Sequence, residues 1–342
     1  MKAWYLESIY DLENDSAPLR MTEAATPSPG PHEILLRVLC CGVCHTELDE
    51  IEGRTPPPSY PIIPGHQVVG EVEDLGVGAH RFRQGDRVGV AWIGGACGTC
   101  DYCRAGQENL CESFCATGRD INGGYATHMV VDENFAYRIP DVFSNVEAAP
   151  LLCAGAIGYR SLMLAGLSDG MSLGLTGFGA SGHLVLKMAQ YLYPRSEVFV
   201  FARSADEQGF ARQLGAVWAG PPDINAPALL HAVIDTTPAW RPVVGALLCL
   251  KPGGRLVINA IRKESNDLSA LQTIRYPDHL WMEKEIKTVA NITRKDVDSF
   301  LSIAAQVPII ASTQVYPFDR ANEALIDLKR KHVNGAKVLV MQ

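Results

Sequence analysis

Between Cys40 and Asp49 the chain reads Cys-Cys-Gly-Val-Cys-His-Thr-Glu-Leu-Asp, which gathers a thiol at Cys44, an imidazole at His45, a hydroxyl at Thr46 and carboxylates at Glu47 and Asp49. Cys44 alone would read as a small buried apolar residue. Two further positions change that reading. His66 closes a proline-rich loop (Pro56, Pro57, Pro58, Pro61, Pro64), and Cys153 lies in Ala-Pro-Leu-Leu-Cys-Ala-Gly over 149–155, each at the edge of an apolar run beside Gly or Pro. Two thiolates and one imidazole give Zn²⁺ three protein ligands and leave its fourth tetrahedral position open, the arrangement of a catalytic ion.

Cys97, Cys100, Cys103 and Cys111 form a second set, spaced C-x2-C-x2-C-x7-C. The stretch around them has almost no apolar residues with which to fold. A zinc held by all four thiolates would supply the folding energy directly, and with every position filled by sulfur that ion would be structural. A nucleic-acid-binding zinc ribbon is the competing reading, but Asp101, Glu108 and Glu112 outweigh Arg104, the wrong sign for a phosphate backbone.

A third constellation opens after a strand-like run, Met171 to Thr176, with Gly177-Phe178-Gly179-Ala180-Ser181-Gly182 and a helical apolar period over 184–192. Bracketed by strand and helix, G-x-G-x-x-G is a dinucleotide fingerprint. Gly177 makes the tight turn, Gly179 lets backbone approach the pyrophosphate, and Gly182 lets helix and strand pack. Free N–H groups at the helix start, at Ala180 and Ser181, meet the phosphates. The next strand, 197–201, ends in Ala202-Arg203-Ser204. Ala202 lacks the carboxylate with which an NAD-preferring domain holds the ribose, whereas Arg203 and Ser204 suit a 2′-phosphate, so the sequence favours NADP. If Arg203 stacks on adenine instead, either cofactor binds.

The elements that must hold these groups follow the same order. Short β-rich runs at 33–39, 67–75 and 87–91, separated by Gly and Pro turns, have the spacing of a small β-barrel. Strand character at 123–131 and 135–140 would complete it, and the ligand cluster 40–49 is expected where a strand ends and the chain turns. A helical pattern through Cys153 to Leu164 bridges to a second domain, in which strands and helices alternate to 290 as in a parallel sheet. The remainder, with a helix over 296–305, an amphipathic helix over 319–330 and strands at 314–317 and 336–341, returns to the first domain.

Cys44-His45-Thr46, Gly65-His66, Cys153, the four-cysteine lobe and the Gly177 fingerprint together resemble the zinc-dependent medium-chain alcohol dehydrogenases, for which a Cys2His catalytic set is typical. The resemblance implies an α/β protein with a β-barrel: a GroES-like catalytic domain over 1–154 and 293–342, with the zinc lobe at 94–115, and a Rossmann domain over 155–292. It implies reversible hydride transfer between a primary or secondary alcohol and NADP or NAD, with two zinc ions per chain and a homodimer or homotetramer. Zinc held by Cys44, His66 and Cys153 would polarise the alcohol oxygen. Thr46 would accept the alcohol proton and pass it through the nicotinamide ribose towards Asp49, where many relatives have histidine; alternatively Asp49 is a solvated loop carboxylate and water takes the proton. His45 would donate to the pyrophosphate, and Glu47 would orient His66. Gln67 replaces a glutamate of the family, and Ala336, beside Lys337, replaces an arginine directed to the cofactor phosphates. Trp92 matches a pocket aromatic that would favour small or medium apolar alcohols, or else it is core. Two alternatives share this outline: a zinc-independent quinone or enoyl reductase of the same fold, and a non-catalytic, zinc-stabilised cofactor-binding protein.

Composition agrees with small-molecule chemistry. At 342 residues two domains are expected. The net charge of −8 offers no basic field for nucleic acid or anionic lipid. No membrane span or signal peptide is legible, so a cytoplasmic protein is expected. Closely spaced cysteines without an export signal read as metal ligands, which leaves Cys40, Cys41, Cys115 and Cys249 as free thiols.

Overall fold

The computed structural model describes residues 1–307, 309–330 and 336–341. The chain divides into two compact units, Met1–Cys153 with Ile292–Gln342, and Ala154–Asn291.

The first unit is built around the long strand Glu33–Val43, whose inward positions Ile34, Leu36, Val38 and Cys40 are buried. It pairs antiparallel with Val68–Leu75, with His128–Asp132 and with Ala336–Val340. The sheet continues through Arg87–Val90 to Ala136–Arg138 on one side and to Thr313–Pro317 on the other. Three details differ from the sequence reading. The strand runs on through Cys40 and Cys41 to Val43, because both thiols are buried small apolar residues in the sheet. The chain then enters a helix, His45–Ile51, rather than a turn. Residues 123–127 are not part of a strand; the antiparallel strand begins at His128.

The second unit is a six-stranded sheet in the order Trp218–Gly220, Val198–Phe201, Leu173–Thr176, Leu230–Asp235, Leu250–Ile258, Glu285–Thr288, every neighbour parallel. Its inner strands read as continuous apolar runs, Val-Phe-Val-Phe at 198–201 among them, because helices cover both faces of such a sheet. The core on one face joins Phe199, Phe201, Leu230, Leu247 and Leu256. Strand order reverses between Leu173–Thr176 and Leu230–Asp235, which puts the ligand crevice of a doubly wound sheet at the ends of those two strands. No single helix among the described residues is long and apolar enough to cross a membrane.

Candidate active site

Cys44 caps the helix His45–Ile51 in an extended conformation, φ −127° and ψ 164°. The fourth residue of Cys-His-Thr-Glu reaches back to it: Glu47 Oε2 accepts from the Cys44 backbone N–H at 2.7 Å. This is a capping box with cysteine in the serine position. The other oxygen, Oε1, accepts from His66 Nδ1 at 2.6 Å, and Glu47 is fully buried. One carboxylate therefore aligns two of the three expected ligands. With Nδ1 donating, His66 Nε2 is left as a lone pair, and it is buried with no hydrogen-bond partner among the described residues.

His66 is placed by the glycine before it. Gly65 has φ +98°, and a Cβ there would lie 2.3 Å from the Tyr125 ring. Replacing it is costly twice over, through backbone strain and through overpacking. Gly65→Ala is expected to lower unfolding free energy by about 2–4 kcal/mol, read as a lower midpoint in denaturant unfolding.

Cys153 follows the buried 3-10 turn Ala149–Leu152 and stands outside regular helix, φ −122° and ψ −79°. Its Sγ lies 3.9 Å from Cys44 Sγ, and these sulfurs and a His66 nitrogen all fall within 4.8 Å of one another. Two sulfurs bound to one tetrahedral zinc at about 2.3 Å would be about 3.8 Å apart, so the trio fits that ion. The adjoining Cys153 thiol and the nearby His66 imidazole outweigh burial and hold the Cys44 thiol well below its ordinary range. The shared Cys44 contact, with burial, holds Cys153 well above it.

Thr46 Oγ1 is 3.7 Å from Cys44 Sγ, and His45 is exposed at the first turn of the helix. Asp49 is not a solvated loop carboxylate: it is helical, 5% exposed, and its Oδ1 accepts from Arg54 Nε at 2.5 Å. Trp92 packs edge-on to His66, ring centroids 6.4 Å apart, and against Phe114 at 5.8 Å. Sequence reading missed Glu50. It lies one helical turn beyond Glu47 and is 1% exposed; burial first, then the Glu47 charge, push its carboxyl well above the usual range. The signal was its i+3 spacing from Glu47 on one helix face.

The four lobe sulfurs also lie within 4.8 Å of one another, with Cys97 and Cys103 3.9 Å apart. Backbone N–H groups of Thr99 and Cys100 donate to Cys97 Sγ and bring that thiol down to about 6. The lobe's Tyr102 and Leu110 are both exposed, so its folding does not rest on an apolar core. The donor set and spacing fit a closed structural zinc.

In the second unit Gly177 has φ +82°, and a Cβ on Gly182 would meet Gly177 O at 2.7 Å, while one on Gly179 would meet nothing. The close turn and the open approach are what a pyrophosphate needs. Helix Ala180–Leu192 carries Ser181 in its first turn. A cavity of about 470 Å³ reaches from Thr176 and Phe201 to Pro222 and Arg241. Ser204 caps the helix Ala205–Gln213; its hydroxyl donates to Glu207 Oε2 at 3.0 Å and accepts from Glu207 N at 3.1 Å. The expected phosphate ligand is thus occupied, leaving the exposed Arg203 as the cation there. Lys337 does not substitute for a phosphate-directed arginine. It is 1% exposed, and its Nζ donates to Gln314 Oε1 at 3.1 Å and to Tyr316 Oη at 2.8 Å inside the first unit.

The sequence reading also missed a buried pair at the end of strand Leu230–Asp235. Asp235 is fully buried, pairs with Lys263 Nζ, and accepts from the hydroxyls of Thr176 and, at 2.8 Å, Thr237. Lys263 also donates to the carbonyls of Thr237 at 2.7 Å and Ala239 at 3.0 Å.

Residues 30–141 match the model of the alcohol dehydrogenase GroES-like domain. The chain is 41% identical to a Mycobacterium tuberculosis protein described as "Probable alcohol dehydrogenase AdhA", over 100% of this chain and 97% of that protein. It is 31% identical to an alcohol dehydrogenase of Geobacillus stearothermophilus, over 96% and 98%. A cobalt- and zinc-bound thermostable alcohol dehydrogenase from Pyrobaculum aerophilum superposes with a TM-score of 0.85 at 26% identity, covering 99% of each chain. Barrel, fingerprint domain and the Cys44-His66-Cys153 trio thus sit in a chain that matches such relatives end to end, and it belongs to the medium-chain zinc alcohol dehydrogenase family.

Proposed function

We propose that this chain is a zinc-dependent alcohol dehydrogenase that interconverts a primary or secondary alcohol and its carbonyl with a nicotinamide cofactor. The observation that carries the reading is the buried, unpartnered His66 Nε2 facing two thiols, with Nδ1 held by Glu47. A relative in the same fold is described as zinc-bound, which supports the same donor set here. Cys44, His66 and Cys153 would hold the catalytic ion, and Cys97, Cys100, Cys103 and Cys111 a structural one. A zinc in the first site supplies Lewis acidity that makes an alcohol proton easier to remove; NADP or NAD supplies the hydride acceptor.

The chain's own groups do the rest. Glu47 fixes the His66 tautomer and the Cys44 backbone, so the donor set is preorganised. Thr46 Oγ1, next to Cys44, takes the alcohol proton as it gives up its own towards the nicotinamide ribose. Asp49, paired with Arg54, stands one turn further along the same helix as the outward acceptor. His45, exposed at the first turn of that helix, contacts the pyrophosphate. Gly177, Gly179, Ala180, Ser181 and Gly182 cradle the phosphates, and Arg203 favours NADP, with Ser204 acting through the helix cap. The functional unit is a homodimer or homotetramer in the cytoplasm.

Metal emission on purified protein is expected to give two zinc ions per chain. Oxidation of butan-1-ol and benzyl alcohol, followed by reduced-nicotinamide absorbance, is expected to be faster with NADP than with NAD. One zinc with no alcohol turnover under either cofactor would overturn the proposal in favour of a zinc-stabilised cofactor-binding protein.

A further inference from the structure

One cation beside the candidate site has no part in the proposed reaction. Trp92, whose ring lies 6.4 Å from that of His66, is fixed through its backbone to the turn that follows the zinc lobe: Thr117 N donates to Trp92 O at 2.9 Å, and the next residue, Ile93, pairs with Ala116. Arg119 stands in that turn, and its guanidinium carbon lies 5.7 Å over the Trp92 ring. The guanidinium is therefore no further from the His66 ring than those two steps together. One edge of its fork is fixed. Nε and Nη2 each donate at 2.9 Å to Asp120, whose Oδ2 also accepts from Ala116 N at 2.7 Å. Nη1 has no partner among the described residues, and the side chain is 28% exposed. Trp92 and Phe114, ring centroids 5.8 Å apart, are also only partly buried. An aromatic wall next to a metal ligand thus ends at a guanidinium clamped on one side and open on the other. A planar fork with free N–H groups recognises a carboxylate. Because Asp120 and Trp92 already hold its rotamer, little side-chain entropy is lost when it does so. Burial, then the Glu47 charge, keep the Glu50 carboxyl well above the usual range although Arg119 pulls the other way, so Glu50 adds little negative charge against such a group.

We infer that Arg119 Nη1 receives a carboxylate at the far end of the substrate, so that the site takes a hydroxy acid, with its carboxylate remote from the reacting hydroxyl, in preference to the uncharged alcohol of the same carbon skeleton. This deepens the dehydrogenase reading and rests on it. Two matched pairs are the probe, one flexible and one aromatic: 6-hydroxyhexanoate with hexan-1-ol, and 4-(hydroxymethyl)benzoate with 4-methylbenzyl alcohol. The experiment is steady-state oxidation of each by wild type, Arg119→Met and Arg119→Lys, with zinc content measured on every protein. In wild type kcat/KM should favour the acid in at least one pair by about 10- to 100-fold, the range of a hydrogen bond to a charged group. In Arg119→Met that ratio should fall at least about tenfold, chiefly through KM. Arg119→Lys, which keeps the charge and loses the fork, should keep part of it. A merely structural role would change both members of a pair alike and leave the ratio unmoved. Should Arg119→Met not fold, Arg119→Gln is read in its place, and an unchanged ratio in either overturns the assignment. Wild type that oxidises the uncharged alcohols without preferring either acid overturns the Arg119 inference alone; wild type that oxidises none of the four overturns the dehydrogenase reading as well.

Discussion

Cys153→Ala is expected to reduce alcohol oxidation by about 10³-fold or more and to lower zinc content from two ions to one. The magnitude follows from the several kcal/mol of charge stabilisation that a Lewis acid contributes, each 1.36 kcal/mol being about tenfold in rate. Alanine removes the sulfur 3.9 Å from Cys44 Sγ and leaves a thiol and an imidazole, with no other donor among the described residues inside the 4.8 Å group to take its place. The fold should survive, because the trio is mounted on elements that pack without it: the strand Glu33–Val43 and the buried turn Ala149–Leu152. Cys97→Ser makes the contrast. It too should lose one zinc, but the lobe, with Tyr102 and Leu110 already exposed, has little else to hold it. Limited proteolysis should cut that variant near Arg104 while sparing Cys153→Ala. Equal zinc in Cys153→Ala and wild type would remove Cys153 from the ligand set.

Lys263→Met is expected to destabilise the protein by about 3–5 kcal/mol, the usual cost of stripping one partner from a buried ion pair. Asp235 is fully buried, and Lys263 is 8% exposed. The hydroxyls of Thr176 and Thr237 would remain on Asp235, but neither carries charge, and the carbonyls of Thr237 and Ala239 would lose their donor. Asp235→Asn in the same chain should restore much of the loss, because it removes the charge rather than its partner; a double-mutant cycle on calorimetric unfolding measures the coupling. Additive losses from the two substitutions would refute it. The cofactor should feel the change as well. Thr176 immediately precedes Gly177, so loosening the end of that strand is expected to weaken nicotinamide-nucleotide binding together with stability.

Much of the fold was legible because its signals are local. Alternating apolar runs and turn residues announce the barrel, and strand, glycine turn and helix at 171–192 announce the nucleotide domain. The limits of that reading are equally local. The run 40–49 is expected where a strand ends, but the burial of Cys40 and Cys41 carries that strand on to Val43. The Ser204 hydroxyl suits a phosphate on its own, but Glu207 three residues later makes it a helix cap, through a capping-box spacing that the sequence itself carries. The sequence leaves open whether Lys337 stands in for the arginine that Ala336 replaces, and only the sheet register, which sets Lys337 opposite Val43, sends it inward to Tyr316.

The sequence by itself determined which atoms could bind metal and nucleotide, since thiol, imidazole and glycine spacing carry their chemistry wherever the chain puts them. Tertiary structure decided which of those atoms meet and what surrounds them. Cys44, His66 and Cys153 are separated by 22 and 87 positions in the chain, and only the packing of three distant segments brings their donor atoms within 4.8 Å. The burial that leaves Glu50 unmatched, seals Asp235 against Lys263 and ties Asp49 to Arg54 depends on long-range contacts of the same kind. Desolvation is a property of everything around a group and not of the group, which is why no single stretch of sequence announces it.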